Sequence, residues 1–218
     1  MPRKNIRLLD GKPMIVWAIE ACQSSDMFDM VVVSTDDQEI ARIAEAAGAL
    51  VPFIRPTELS DDLTPILPVM THALSSLADT ASDFGLACCV YPAASTLRPN
   101  DILGGAQLLI ESTWADYCFG VVPFSHPIER ALHLSPDSTV ALADPGHGET
   151  RTQDLTNAWH DAGQFVWGRR SAWLAGRPIL GNAVGYAMPS WRSVDIDTED
   201  DWERAEVVHR LLRDSDLR

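Results

Sequence analysis

Lysine is all but missing from this sequence: the 218 residues hold two, Lys4 and Lys12, both within the first dozen. Acidic residues number 31 against 17 lysines and arginines, for a formal charge of −14. A surface so short of cations repels a phosphate polymer or an anionic membrane over most of its area, which excludes bulk affinity for nucleic acid or anionic lipid. A small anionic ligand remains open where positive charge is concentrated. That happens at one place, where Arg3, Lys4, Arg7 and Lys12 face a single acid, Asp10.

Cysteine is scarce as well. Cys22, Cys88, Cys89 and Cys118 show no Cys-x-x-Cys spacing and no disulfide-scaffold density, so they read as buried free thiols in a reducing compartment. No apolar leader follows Met1, and no apolar run approaches the ~20 residues that span a bilayer; the expectation is a soluble, cytoplasmic protein. Neither a Gly-x-Ser-x-Gly elbow nor a Walker loop nor a His/Cys metal pattern is present, which argues against hydrolase, P-loop and zinc chemistry. Internal repeats and low-complexity tracts are also lacking.

With 46% hydrophobic and 22% charged residues, the chain is long enough for one domain with a sizeable core, here expected over residues 1–218. Apolar β-branched runs alternate with helical periodicity through the first half, the signature of βα units around a largely parallel sheet. The pattern predicts a helix over 13–24, a short buried strand over 30–34, and a helix that Asp36 or Asp37 caps and Gly48 ends. A strand over 50–54, a helix over 66–77, a strand over 86–91, a helix over 100–111 and a strand over 117–124 follow. After Pro123 the alternation breaks. Residues 130–134 and 139–143 read as a hairpin inserted into the α/β plan, with strands around 164–168 and 184–188 beyond it. In the closing helix Trp202, Ala205, Val208, His209 and Leu212 share one face while Glu203, Glu206 and Arg210 face water.

Several residues suit anion and metal chemistry. The basic start is either a phosphate-binding segment ahead of the first helix, since cations stabilise charge on phosphoryl oxygens, or a solvated terminus. Asp195 and Asp197 sit at alternate positions of a strand end, where α/β folds bind ligands and where two hard oxygen donors suit Mg²⁺. Capping of the last helix by Asp197 with Asp200 is the competing reading, and it leaves Asp195 unexplained. Arg55 either contacts phosphate or ribose, or pairs with Glu58. Arg151 is placed to grip a substrate carboxylate in bidentate fashion. His160 and Asp161 are not read as an acid–base dyad, because adjacent residues on an extended strand point apart.

Taken in order, Pro2 to Ile6 with Gly11 to Ile15, then Val32 to Asp37, Arg55 to Asp62 and Asp195 to Trp202, resemble the acylneuraminate cytidylyltransferases. Thr150 to Leu155 and His160 to Gly168 most resemble the pseudaminic acid branch of that family. The resemblance covers essentially the whole chain and implies a three-layer, Rossmann-like nucleotidyltransferase fold. It implies transfer of CMP from CTP to a nine-carbon acidic sugar, pseudaminic acid, with release of pyrophosphate, for surface glycan or flagellin glycosylation. A sialic or legionaminic acid is the related alternative, and an inactive homologue that only binds or dimerises is the other. By carry-over, Lys4 and Asn5 meet the nucleotide and its phosphates, Arg55 meets the nucleotide, Asp195 and Asp197 hold Mg²⁺, Arg151 faces the sugar carboxylate, and Gln164 lines the sugar pocket. The inserted region, about 125–160, is expected to form a homodimer and to help complete a neighbour's site.

Members of that family open with a strand and a loop of the type Pro-Ala-Arg-Gly-Gly-Ser-Lys-Arg, whereas this sequence starts with the basic segment. The expectation is a sheet lacking its first strand and a chain that transfers CMP slowly as written. Ser95 stands where proline is expected, and Val166 where an aromatic residue is common; both read as tuning.

Overall fold

Asp10 and Gly11, at φ +48° and +83°, turn the chain between Leu8–Leu9 (β1) and Lys12–Pro13 (β2), a two-residue antiparallel ladder of the kind an Asp-Gly turn closes. The computed structural model describes residues 1, 3–61, 63–78 and 84–214; Pro2 and Asp62, which belong to motifs quoted above, lie outside the described residues. Helix α1 (Met14–Ser24) follows β2 directly. Asp37, not Asp36, caps α2 (Gln38–Ala46): its Oδ1 accepts from the Glu39 and Ile40 amides, and Gly48, at φ +87°, follows the helix end.

The strands expected over 30–34 and 50–54 reduce to one parallel bridge, Val32 to Leu50, closed by Val33 N to Leu50 O at 2.9 Å and Leu50 N to Val31 O at 2.8 Å. Pro52 lacks the N–H that would carry the pairing further. Then come α3 (Ile66–Ser76), β3 (Leu86–Val90), α4 (Pro99–Glu111) and β4 (Tyr117–Pro123). The hairpin of β5 (Leu132–Leu134) and β6 (Val140–Leu142) follows, then β7 (Trp159–Arg169), α5 (Arg170–Leu174), β8 (Ala183–Ala187) and α6 (Glu199–Asp214).

The main sheet runs β3-β7-β4-β8 and is mixed, which corrects the expectation of a mostly parallel one. Only the β4–β8 pairing is parallel; β7 lies antiparallel to both β3 and β4. The physical reason lies in the inserted hairpin, from which the chain re-enters the sheet reversed, with no helical crossover to restore its direction. The outer edge of β3 has no strand partner among the described residues.

Three layers result. On one face α1 and α4 pack Cys22, Ile102, Ala106 and Leu109 against Cys118, Phe165 and Trp167. On the other, Leu74 of α3 and Trp173 of α5 cover Tyr117 and Val166. Val166 is thus a core residue, so the missing aromatic alters packing there. Helix α4 tolerates adjacent glycines because a Cβ on Gly104 would stand 2.5 Å from Tyr186 and one on Gly105 2.6 Å from Phe165. The helix propensity lost, about 1 kcal/mol per glycine, is exchanged for close approach to the sheet. Cys22 and Cys118 are buried and all four cysteines are free; burial pushes the Cys22 and Cys89 thiols up to about 12, which leaves them unreactive.

Helix α6 buries the face expected of it, Trp202, Ala205, Val208, His209 and Leu212, against Leu9, Met14, Val194 and Ile196 or beside them. Its cap is Thr198, not Asp197: Asp201 Oδ2 accepts from the Thr198 amide at 3.0 Å, and the Asp201 amide donates to Thr198 Oγ1 at 3.2 Å, a reciprocal capping box.

Candidate active site

Four short segments converge on a cleft of about 410 Å³ lined by Lys4, Asn5, Tyr91, Pro92, Ala93, Asp161, Gly163 and Asp195. A 3₁₀ turn, Lys4–Ile6, supplies the first pair, and Arg3 ahead of it takes a left-handed backbone, φ +56°. Of the basic residues at this end, Lys4 alone faces the cleft. Arg3 is held by Asp37 and Glu39, Arg7 by both oxygens of Glu199 at 2.8 and 2.9 Å, and Lys12 by Glu20 at 2.6 Å. The phosphate-binding reading of the basic start therefore narrows to Lys4 and Asn5, whose Oδ1 is buried without a hydrogen-bond partner.

The second and third segments meet through Gln164. This side chain is fully buried; its Nε2 donates to the Val194 and Ala162 carbonyls at 3.3 Å, while its backbone oxygen accepts from Tyr91 N at 3.0 Å. Gln164 therefore braces the Tyr91 loop, β7 and the Asp195 segment from beneath rather than lining a sugar pocket, and its Oε1 has no partner. A second brace lies farther along: Arg192 and Asp101 form a buried bidentate pair with both contacts at 2.7 Å, and Thr96 Oγ1 donates to the Arg192 carbonyl. The chain on either side of the cleft is tied to α4 in this way.

Strand β7 is irregular where it reaches the cleft. The register with β4 steps by two residues, Phe119 to Val121, while β7 steps by five, Val166 to Asp161. Inside this bulge Gly163 adopts φ +62°, and its amide donates to Asp161 Oδ1 at 2.8 Å. A Cβ at Gly163 would stand 3.3 Å from Asp195 Cγ, so the glycine is what lets Asp195 approach β7.

Residues 193–198 form no strand, which corrects the expectation of a strand end; Ile196 is buried between Asp195 and Asp197, both of which are exposed. Lys4 Nζ bonds Asp197 Oδ1, whereas the Asp195 carboxylate accepts no hydrogen bond among the described residues. Desolvation in the cleft raises the Asp195 pKa, with the charges of Asp197, Asp201 and Asp161 adding to it and Lys4 opposing. The Asp161 carboxyl is likewise raised by desolvation, partly offset by its bond from Gly163. No group of three or more metal-binding side chains converges among the described residues. Two exposed carboxylates, one without a partner, nonetheless form a donor set that Mg²⁺ accepts, because this ion keeps waters and takes its other oxygens from substrate phosphates.

Arg55 stands outside the cleft. Its Nε donates to Ser60 Oγ at 3.1 Å and its Nη2 lies 3.6 Å from Asp36, so the acid beside it is Asp36 and not Glu58. Arg151 is exposed on the inserted region and does not line this cleft. Tyr91, Asp161 and Gly163 were not legible as site residues. The available signal was Asp161-Ala-Gly163, a side-chain-to-backbone turn that interrupts a strand pattern.

A family model described as cytidylyltransferase matches residues 1–187. The chain is 36% identical over 216 residues to a pseudaminic acid cytidylyltransferase of Campylobacter jejuni, covering 99% of this chain and 93% of that one. It is 31% identical to N-acylneuraminate cytidylyltransferase B of Danio rerio, over 98% of this chain and 48% of that protein. Among solved structures, a CMP:2-keto-3-deoxy-manno-octonic acid synthetase complexed with CTP superposes with a TM-score of 0.65 at 15% identity, covering 97% and 93% of the two chains, a likeness of fold.

Proposed function

The chain belongs to the cytidylyltransferase family, and from that premise we propose that it transfers CMP from CTP to a nine-carbon acidic sugar of the pseudaminic acid type, releasing pyrophosphate. What carries this reading is the end-to-end relationship to pseudaminic acid cytidylyltransferases, together with a cleft that gathers Lys4, Asn5 and Asp195. The anomeric hydroxyl of the sugar attacks the α-phosphorus and gives up its proton to solvent, a P–O bond forms, and the bond from the α-phosphorus to the bridging oxygen breaks as pyrophosphate departs. Catalysis of such a step is chiefly positioning and neutralisation of charge.

Lys4 and Asn5 meet the nucleotide phosphates in this reading. The Lys4 ammonium balances charge on the departing oxygens, and Asn5 offers its amide donors. Asp195 and Asp197 are the residues that would hold Mg²⁺, which when bound neutralises phosphate oxygens. Gln164 and the Asp101–Arg192 pair keep these groups in register. Arg151, exposed outside its own cleft, is assigned to the acceptor carboxylate in a partner's cleft. The exposed apolar hairpin supports a homodimer in which such an exchange takes place, with the enzyme acting in the cytoplasm and its product serving surface glycan or flagellin glycosylation. Among the described residues no helix is long and apolar enough to cross a membrane.

The test is a coupled pyrophosphate-release assay with CTP and Mg²⁺ against pseudaminic, legionaminic and sialic acids, repeated with other nucleoside triphosphates. Preference for CTP and pseudaminic acid is expected. No release with any of these sugars overturns the reading.

A further inference from the structure

The cleft contains one carboxylate more than nucleotide and metal binding call for. Asp195 and Asp197 come from one segment, and Lys4 acts on both. Asp161 comes from β7, and among the described residues the side chain that opposes the rise in its pKa is His160, its neighbour in sequence. No lysine or arginine pairs with it, and it joins no metal-binding group of three among the described residues. Its Oδ1 is taken by the Gly163 amide at 2.8 Å, and its Oδ2 has no hydrogen-bond partner among the described residues. The residue nevertheless lines the cleft together with Tyr91 and Asp195.

An uncompensated carboxylate repels phosphate and accepts hydrogen bonds from neutral donors. Strand β7 spends a five-for-two register step and a left-handed glycine to bring it there, which places it beside the carboxylate segment without joining it. We propose that Asp161 reads the acceptor sugar: Oδ2 accepts a hydrogen bond from a hydroxyl or amide N–H of the acceptor, and its charge excludes the nucleotide phosphates from that part of the cleft. The acceptor then lies with a donor-bearing side toward Asp161 and its own carboxylate turned away. This inference rests on the cytidylyltransferase reading above, and it assigns Asp161 to recognition of the acceptor rather than of CTP.

Asp161→Asn separates this role from a structural one. An asparagine keeps the turn, because its side-chain oxygen still accepts from the Gly163 amide, but it then points an NH₂ donor where the acceptor needs an oxygen. Initial rates of pyrophosphate release, with acceptor and CTP varied in turn, are measured for wild type, Asp161→Asn and Asp161→Ala, with thermal midpoints alongside. The expected result is a KM for the acceptor raised about tenfold or more in both variants, a KM for CTP within about twofold of wild type, and an unchanged midpoint for Asp161→Asn. Wild-type acceptor KM in Asp161→Asn overturns the inference while leaving the function intact, as does an equal rise in the KM for CTP. A wild-type chain that releases no pyrophosphate with any nonulosonate overturns the function and the inference together.

Discussion

Lys4 Nζ lies 2.9 Å from Asp197 Oδ1 and donates also to the Ile196 carbonyl at 2.7 Å, so the cation of the cleft is seated on the segment that carries its carboxylates. Lys4 thereby holds the Asp195–Asp197 segment as well as offering charge to a ligand. The pair is partly exposed and contributes little to stability.

Replacing Lys4 by methionine should therefore lower kcat/KM for CTP by about 10²-fold, the cost of one charge-stabilising contact, with little change in thermal midpoint. Steady-state kinetics with CTP as the varied substrate checks this. A defect confined to the acceptor KM would place Lys4 on the other side of the cleft.

Asp195→Asn should remove most turnover and leave the midpoint nearly unchanged, because no hydrogen bond to this carboxylate is lost among the described residues. Thr198→Ala makes the contrast: loss of the capping box should cost about 0.5–2 kcal/mol of stability with turnover retained. Rates across a Mg²⁺ titration and thermal melts for the two variants decide the matter, and normal activity of Asp195→Asn would remove it from the metal site.

A pH dependence of stability follows from His209, buried on α6 with its ring centroid 4.7 Å from that of Trp17 and its Nε2 unpartnered. Burial lowers its pKa below the ordinary 6.5, with Arg98 and Arg213 acting in the same direction and Asp10 and the Ser95 backbone against it. As pH falls through about 6.5 the unfolded chain takes up this proton before the folded one does, so this group leaves stability unchanged above about 6.5 and lowers it from there down to the folded value. Melts from about pH 8 to about pH 5 should show a steeper acid-side decline for wild type than for His209→Gln. Parallel slopes would show that His209 is not the group responsible.

The hairpin leaves Leu132, Leu134 and Val140 at 58%, 73% and 55% exposure, apolar surface that a solvated two-stranded ribbon does not stabilise alone. Light scattering at micromolar concentration should give twice the 23.9 kDa chain mass, and Leu134→Asp should shift it toward the monomer. A wild-type monomer would refute the dimer.

Where the local code was strong, the sequence was enough. Asp37 and Gly48 bound α2 by cap chemistry, the Ser135 to Thr139 turn closes the hairpin, and the apolar stripe of α6 is buried as its spacing requires. Direction in the sheet was not legible, because β7 reads as an apolar run whether it lies parallel or antiparallel, and only the path of the inserted region decides. The strands at 30–34 and 50–54 have the right composition yet form one bridge, since β-structure depends on neighbours the local sequence does not specify. Within the site, the exposure of Asp195 and Asp197 on either side of a buried Ile196 was readable, although the segment forms no strand. Gln164 was not, because a polar residue on a buried strand gives no sign of which distant carbonyls it will meet.

Among the described residues nothing pairs with the outer edge of β3, which makes Leu86 to Val90 a template. Strand edges are ordinarily protected from self-recognition by lysine, proline, an inward charge or a bulge, and this run of Leu, Ala, Cys, Cys and Val carries none of these. Strand addition between concentrated chains is therefore expected to begin at this edge, and it would build open-ended assemblies distinct from a closed pair.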